Sequence, residues 1–412
     1  MESPAGGYTP LSLSDYFGLP TAVAGISHSA LFHRAYNLVF NEWFRDQNLV
    51  PAVNVHRDDG PDPQASYTLL KRGKRPDYFT SSLPWPQKGP GVAIPLVTAA
   101  LVRTYVNDTT GGIQPPLRMR SSVTGDYPAA AAPIGVDTVG TVFQSTTPAG
   151  GTGDSFYPSN LYADLSGATA ATINSLRQAF QIQKVFERDA RGGSRYIEIL
   201  KSHFGVSSPD ARLQRPEFLG GGSQAVNISP IPQTSASGAE AASPQGNLAA
   251  MGTVLTHNNG FTASFTEHCI VIGMVSVRAD LTYQQGLNRM WSRRTRFDWF
   301  WPALGHIGEQ AVLQKEIYCD GNPANDDLVF GYQERYAEYR YKPSQITGLF
   351  RSNHPQSLDS WHLSQEFANA PVLDTNFISE NPPVDRMIAV PSEPHFLFDS
   401  YFHFSCTRPM SG

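Results

Sequence analysis

The sequence is poor in cysteine and in charge. Only 16% of its 412 residues are charged, and its three cysteines, Cys269, Cys319 and Cys406, stand far apart without a CxxC pair. This spacing argues against a disulfide scaffold or a zinc fold and predicts buried free thiols in a reducing cytoplasm. No apolar run reaches the ~18 residues of a membrane span, so no membrane insertion is expected. The net charge of -5 excludes a chain that is basic overall, so any nucleic-acid contact needs a local basic patch.

Catalytic motifs are scarce as well. The eleven histidines form no HxH or HExxH pattern, and Glu267 and His268 would point to opposite faces of a strand. Residues 220–223 (GGGS) lack the lysine of a phosphate-binding loop and predict a turn. Four carboxylates between residues 309 and 327 could hold a cation such as calcium, although the DxDxDG pattern is absent. They are Glu309, Glu316, Asp326 and Asp327. We therefore expect no enzymatic activity, no cofactor and no metal ion.

Glycine, proline and aromatic residues are abundant. The 35 glycines and 32 prolines predict many turns and loops. Helical spacing of apolar residues predicts helices at about 30–47 and 167–190, with Ser166 as N-cap and Gly192-Gly193 as the end of the second. Alternating aromatic and β-branched residues predict strands at 265–277, 329–341, 384–390 and 395–406. Long excursions separate these strands, which indicates a mainly β fold, a β-sandwich with α-helical insertions.

Residues 104–160 differ in composition from the rest of the chain. They are rich in Gly, Thr, Ala and Pro and contain few large apolar side chains. Such a composition predicts an inserted surface loop. The insertion divides the chain into an N-terminal part, residues 1–103, and a C-terminal part, residues 161–412.

Two basic clusters are accompanied by aromatic residues. The first contains Arg72, Lys74 and Arg75 and precedes Trp85. The second lies in NRMWSRRTRFDWFWP and comprises Arg289, Trp291, Arg293, Arg294, Arg296, Trp299 and Trp301. Arginine beside aromatic rings can hold phosphates and stack on unpaired bases, and the same composition marks protein–protein hot spots. The residues leave both roles open, single-stranded-DNA contact and subunit interface or core. Further candidate interface residues are Trp43, Phe44 and Arg45.

Long blocks of the sequence resemble the major capsid protein of microviruses, specifically its gokushovirus branch. The blocks keep their order along nearly the whole chain: NEWFRDQN (41–48), TSSLPWPQKG (80–89), ERDARGGSRYIEILKSHFGVSSPDARLQRPEFLGG (187–221), SFTEHCIVIGMVSVRADLTYQQGLNRMWSR (264–293), HIGEQAV (306–312), FGYQERYAEYRYKPSQITGLFRS (330–352) and LDSWHL (358–363). The resemblance implies a single viral jelly roll of about eight strands with long insertions. It also implies a T=1 icosahedral shell of about sixty copies around circular single-stranded DNA.

The resemblance implies further partners and segments. Residues 104–160 fall where the family carries a threefold protrusion, which we expect to contact a host surface receptor. Other virion proteins are further expected partners, and the expected location is the virion, with assembly in the host cytoplasm. Family members normally carry about a hundred residues before the position of Met1, with the first jelly-roll strands, and a longer C-terminal tail; without those strands a barrel has open edges that need a partner.

Two other classes of protein remain as alternatives. A jelly-roll binding module for carbohydrate or single-stranded nucleic acid would be a stable monomer that forms no shell. A hydrolase on a β-scaffold would need convergent polar residues at a pocket, and no motif indicates one.

Overall fold

The computed structural model divides into two compact units, residues 1–89 with 186–412, and residues 90–185. The residues that it describes are 1–92, 101–104, 119–121, 125–126, 135–136, 143–144, 156–158, 161–164, 173–207, 215–232, 248–257, 259–388 and 392–408. Most of the predicted insertion, and the N-cap predicted at Ser166, lie outside these residues.

The first unit begins with two short helices. Helix α1, Leu13–Tyr16, starts after Ser12, whose side chain accepts a hydrogen bond from a backbone N–H of the first turn. Helix α2, Leu31–Val39, continues as a π-helical turn, Phe40–Phe44. The helix expected at about 30–47 therefore ends at Arg45, where the backbone becomes extended.

The second unit contains short antiparallel strands. Those in its described residues are β1 (Leu101–Thr104), β2 (Met119–Ser121), β3 (Gly125–Asp126), β4 (Gly135–Val136), β5 (Phe143–Gln144), β6 (Phe156–Pro158) and β7 (Leu161–Asp164). They form the sheets β1–β7, β3–β2–β6 and β4–β5. Helix α3, Ile173–Gly192, starts in this unit and ends in the first one, at the predicted Gly192-Gly193 pair. Its predicted apolar face is exposed at Ile173 and Phe180.

The remaining elements belong to the first unit. They are α4 (Tyr196–Phe204), β8 (Asn227–Pro232), β9 (Leu248–Thr253), β10 (Glu309–Leu313), α5 (Gln314–Ile317), α6 (Pro323–Asp326), β11 (Val329–Glu334) and α7 (Thr375–Ile378). Short 3-10 turns lie at Gln64–Ser66, Arg289–Ser292, Arg296–Asp298, Pro302–Leu304, Ala337–Tyr339, Gly348–Phe350, Asp359–Trp361 and Val384–Arg386. Strands β8 and β9 pair with each other, as do β10 and β11, and both pairs are antiparallel.

The main core of the first unit lies against β10, α5 and β11. Val312 and Ile317 are fully buried there and pack with Phe79, Phe330 and Phe377. Burial of each such side chain stabilises the fold by about 1.5–3 kcal/mol. This core fixes the position of both basic clusters, because their anchoring contacts reach its elements.

Several predicted strands do not form in the described residues. The segments 265–277 and 395–406 have no regular secondary structure and pair with no described strand, so both predictions are wrong. In 384–390, residues 384–386 form a 3-10 turn, and residues 389–390 lie outside the described part. The strand expected at 329–341 ends at Glu334, because Tyr336 adopts a left-handed conformation with φ of 68°. Alternation makes a strand amphipathic, but only a neighbouring strand completes its hydrogen bonds.

The jelly roll and the buried thiols are two further expectations from the sequence. The described strands form sheets of two or three strands, so the eight-stranded jelly roll stays a prediction. The expectation of buried thiols is wrong for Cys269 and Cys406, which are exposed, while Cys319 is half-buried. Both exposed cysteines lie in the two segments that form no strand, 265–277 and 395–406, where nearly all residues are exposed.

Candidate interface and nucleic-acid surface

The second basic cluster, residues 289–301, forms a chain of short turns with its aromatic rings in solvent. Asn288 caps the first turn by accepting a hydrogen bond from the backbone N–H of Met290. Trp291, Trp299 and Trp301 are 71%, 55% and 46% exposed. Isolated exposed apolar residues are ordinary, but several large exposed rings within eleven residues of chain are typical of interaction sites. We call residues 289–301 the aromatic–arginine segment.

Two arginines of the aromatic–arginine segment point into the protein. Arg289 donates to Glu316 Oε1 and to the Ala311 carbonyl, each at 2.8 Å. Arg293 lies 3.5 Å from Glu338, and its guanidinium stacks on the Trp299 ring at 4.8 Å. Their positive charges are therefore compensated within the fold, and both act as anchors of the segment.

The other two arginines of the segment remain exposed. The Arg296 guanidinium lies 4.7 Å from the centre of the Phe297 ring and 5.9 Å from that of Trp301. Arg294 is exposed, and its backbone N–H donates to Asp298 at 2.9 Å. An exposed guanidinium on aromatic rings can meet either a phosphate or a protein partner.

The first basic cluster divides in the same way. Arg72 is half-buried over the Phe44 ring at 5.3 Å, and Arg75 is exposed. Lys74 is buried: its Nζ donates to Gln365 at 3.0 Å and lies 4.5 Å from the centre of the Phe377 ring. Burial lowers the pKa of Lys74 to about 8, against the attraction of Glu380. The structure thus places Arg72 and Arg75 at the surface and Lys74 beneath them.

The remaining candidate residues have local partners. The Trp43 indole N–H donates to the Pro216 carbonyl at 2.8 Å, and the Arg215 guanidinium lies 3.8 Å from a Trp43 ring centre. Arg45 donates to the Val50 carbonyl at 2.7 Å. Trp85 is half-buried. Of this group, only Phe44 contacts one of the basic clusters, through Arg72.

The structure offers little for metal binding or catalysis in the residues that it describes. Ligand atoms of His56, Asp58 and Asp62 lie within 4.8 Å of one another, but Arg34 and Tyr67 both donate to Asp62. The carboxylates considered above also have partners: Glu309 accepts from Arg191, Glu316 from Arg289, Asp326 from the Asp320 backbone, and Asp327 from Lys315. No helix in the described part of the chain is both long and apolar enough to span a membrane.

Two contributing residues carry no signal in the sequence. Glu338 and Arg215 are single residues without a motif. Each is brought to its partner by contacts between distant segments, which no local pattern records. The nearest signal in the sequence was Trp43, because a tryptophan that packs against the protein usually needs an acceptor for its indole N–H.

These features define a class of protein. Large aromatic side chains stay in solvent, whereas several of the charged groups around them are compensated inside the fold. This combination is typical of a subunit that neighbouring subunits complete.

Comparison with known proteins identifies that class. The family model described as Capsid protein (F protein) matches residues 1–412. The Capsid protein VP1 of Bdellovibrio phage phiMH2K is 49% identical over 100% of this chain and 76% of its own length. Those of Chlamydia phage 1 and Spiroplasma virus 4 are 43% and 39% identical, over 100% and 99% of this chain and 78% and 76% of their own lengths. The chain belongs to this capsid protein family and is a major capsid protein of microvirus-type bacteriophages.

Proposed function

We propose that copies of this chain close into a T=1 shell of about sixty subunits around circular single-stranded DNA, with a jelly roll as the central fold. Its family and the exposed aromatic rings support this proposal. A ring of identical subunits requires heterologous contacts, in which one surface meets a different surface of the next copy. The role is structural, so no catalytic site is needed.

The aromatic–arginine segment is the proposed contact between subunits. The observation that carries this assignment is the exposure of Trp291, which leaves 71% of a large apolar surface in water although Arg289 and Arg293 hold the segment in place. Burying such a ring against a neighbour would contribute as a hot spot does, by about 2 kcal/mol or more. Contact of Arg294 and Arg296 with DNA is the second possibility for the same segment.

Electron microscopy and sedimentation of the purified chain test shell formation. We expect small icosahedral particles, and a Trp291→Ala variant should shift the population toward free subunits. The matched control is Trp361→Ala, because Trp361 is 64% exposed but lies outside the segment. A stable monomer under all conditions would instead favour a binding module for carbohydrate or nucleic acid, and equal losses in both variants would remove the interface assignment.

The insertion at 104–160 is the proposed threefold protrusion that contacts the host surface receptor. Its composition supports this, since few large apolar residues are available to build a core of its own. Deletion of residues 110–155 should leave particle assembly intact and abolish adsorption to host cells. Lost assembly with normal adsorption would contradict the proposal. The virion is the proposed location, with assembly in the host cytoplasm.

A further inference from the structure

Two segments about 200 residues apart in sequence run side by side in the first unit. Arg72 Nη1 donates to Ser276 Oγ at 3.0 Å, and Arg75 Nη1 lies 3.4 Å from Asp280 Oδ1. Arg278 lies between Ser276 and Asp280 in the sequence, and it is exposed. The three arginines therefore share one surface, and we call Arg72, Arg75 and Arg278 the arginine cluster.

The backbone beneath the arginine cluster is held firmly. The Gly73 N–H donates to the Phe44 carbonyl, the Lys74 N–H donates to the Ile378 carbonyl, and the Glu380 N–H donates to the Arg72 carbonyl, each at 2.8 Å. These hydrogen bonds fix the backbone on both sides of Arg72, so the position of its Cα is well defined. Such pre-organisation of the binding site lowers the entropic cost of binding a partner.

The charges of the arginine cluster are only partly compensated. Burial lowers the pKa of Arg72, and the positive charge of Arg278 adds to that effect, while Glu380 opposes it. The carboxylate of Glu380 is itself buried, and burial raises its pKa, so its negative charge is held less readily. Asp280 is 94% exposed at its side chain and contributes little against Arg75. Arg289 and Arg293 differ from this cluster, because each forms an ion pair with a buried carboxylate, at 2.8 Å and 3.5 Å.

We propose that Arg72, Arg75 and Arg278 form a binding site for the phosphates of single-stranded DNA. This inference rests on the proposed packaging of such a genome. Guanidinium groups suit the site because their forked N–H donors match phosphate oxygens. An anion between the three arginines removes their mutual repulsion, and the released counterions drive binding without sequence preference.

Binding of a fluorescent oligothymidylate of about 20 nucleotides to the full chain, measured by anisotropy over a range of salt concentrations, tests the site. We expect Arg278→Gln to weaken binding about three- to tenfold and to reduce the slope of log K against log salt by about 0.7, the value for one phosphate contact in a single strand. Arg278→Lys should keep most of the slope because it keeps the charge. Arg57→Gln is the matched control, because Arg57 is exposed in another loop.

The outcomes separate the site from the proposed function. An unchanged slope in both Arg278→Gln and Arg72→Gln, with normal binding by the wild type, overturns the site and leaves packaging in place. The proposed site is also overturned if these variants keep the wild-type salt slope but no longer assemble into particles. The cluster would then bind an acidic surface of a neighbouring copy. Absence of salt-dependent binding by the wild type would remove genome packaging together with the site.

Discussion

Arg289 and Glu316 form an ion pair inside the first unit, with Nη1 of the arginine 2.8 Å from Oε1 of the carboxylate. The Glu316 side chain is only 4% exposed, and the Tyr78 hydroxyl donates to its other oxygen at 3.0 Å. Burial raises the pKa of Glu316, and the charge of Arg289 opposes that shift. The core therefore holds this negative charge only while the guanidinium is present.

Replacing Arg289 with Met is expected to lower the free energy of unfolding by about 3–5 kcal/mol, because an unpaired carboxylate would remain buried. Urea unfolding followed by fluorescence measures the change. The double variant Arg289→Met/Glu316→Leu should recover most of the loss, since it removes both charges from the core.

The matched control for this prediction is Arg294→Met. Arg294 is exposed, so its replacement should change the free energy of unfolding by less than about 0.5 kcal/mol. If Arg289→Met unfolded at the same urea concentration as this control, the ion pair would have no stabilising role.

Local signals predicted part of this structure, and non-local contacts determined the rest. Helix α2 near Leu31 and the end of helix α3 at Gly192 are determined by residues within or next to the same helix. The sequence therefore predicts them. Whether a basic residue is exposed depends on distant partners. Lys74 is buried because Gln365 and Phe377 cover it, and no pattern near residue 74 indicates these contacts.

His33 is expected to make stability depend on pH. It is fully buried, its Nε2 lies 3.0 Å from Ser14 Oγ, and its ring centre is 5.5 Å from that of His28. Burial, followed by the charge of His28, lowers the pKa of His33 from 6.5 to about 4, while Asp62 opposes the shift. The folded chain thus prefers neutral His33, so stability is full above about pH 6.5 and falls by up to about 3 kcal/mol as the pH decreases toward 4.

Urea unfolding near pH 7 and near pH 4 measures the contribution of His33. A His33→Gln variant, which can still hydrogen-bond to Ser14, should lose much of the difference between the two pH values. His306→Gln should retain it, because the His306 side chain is 91% exposed. Equal pH dependence in the wild type and His33→Gln would contradict the prediction.

Gly286 is expected to tolerate no side chain. Its neighbours Gln285 and Leu287 hydrogen-bond to the chain around α5, and a Cβ at Gly286 would lie 2.1 Å from the Glu316 carbonyl oxygen. Because that contact is with backbone, Gly286→Ala should cost about 1–3 kcal/mol in unfolding free energy, measured by urea titration. Gly273→Ala is the control, since nothing lies within 4 Å of its added Cβ. Equal stability of the two variants would show that the backbone at Gly286 can move away from the Glu316 carbonyl at no cost in free energy.

Lys74 is expected to affect stability at high pH and not DNA binding. Its pKa falls from 10.5 to about 8 on folding, mainly through burial, so the unfolded chain holds the proton more tightly. Stability should therefore rise by up to about 3 kcal/mol as the pH increases from 8 toward 10.5, and Lys74→Met should lack this rise in urea unfolding. In the oligothymidylate titration, Lys74→Met should keep the wild-type salt slope, because a buried ammonium reaches no phosphate. A slope reduced as in Arg278→Gln would place Lys74 at the nucleic-acid surface and contradict its burial.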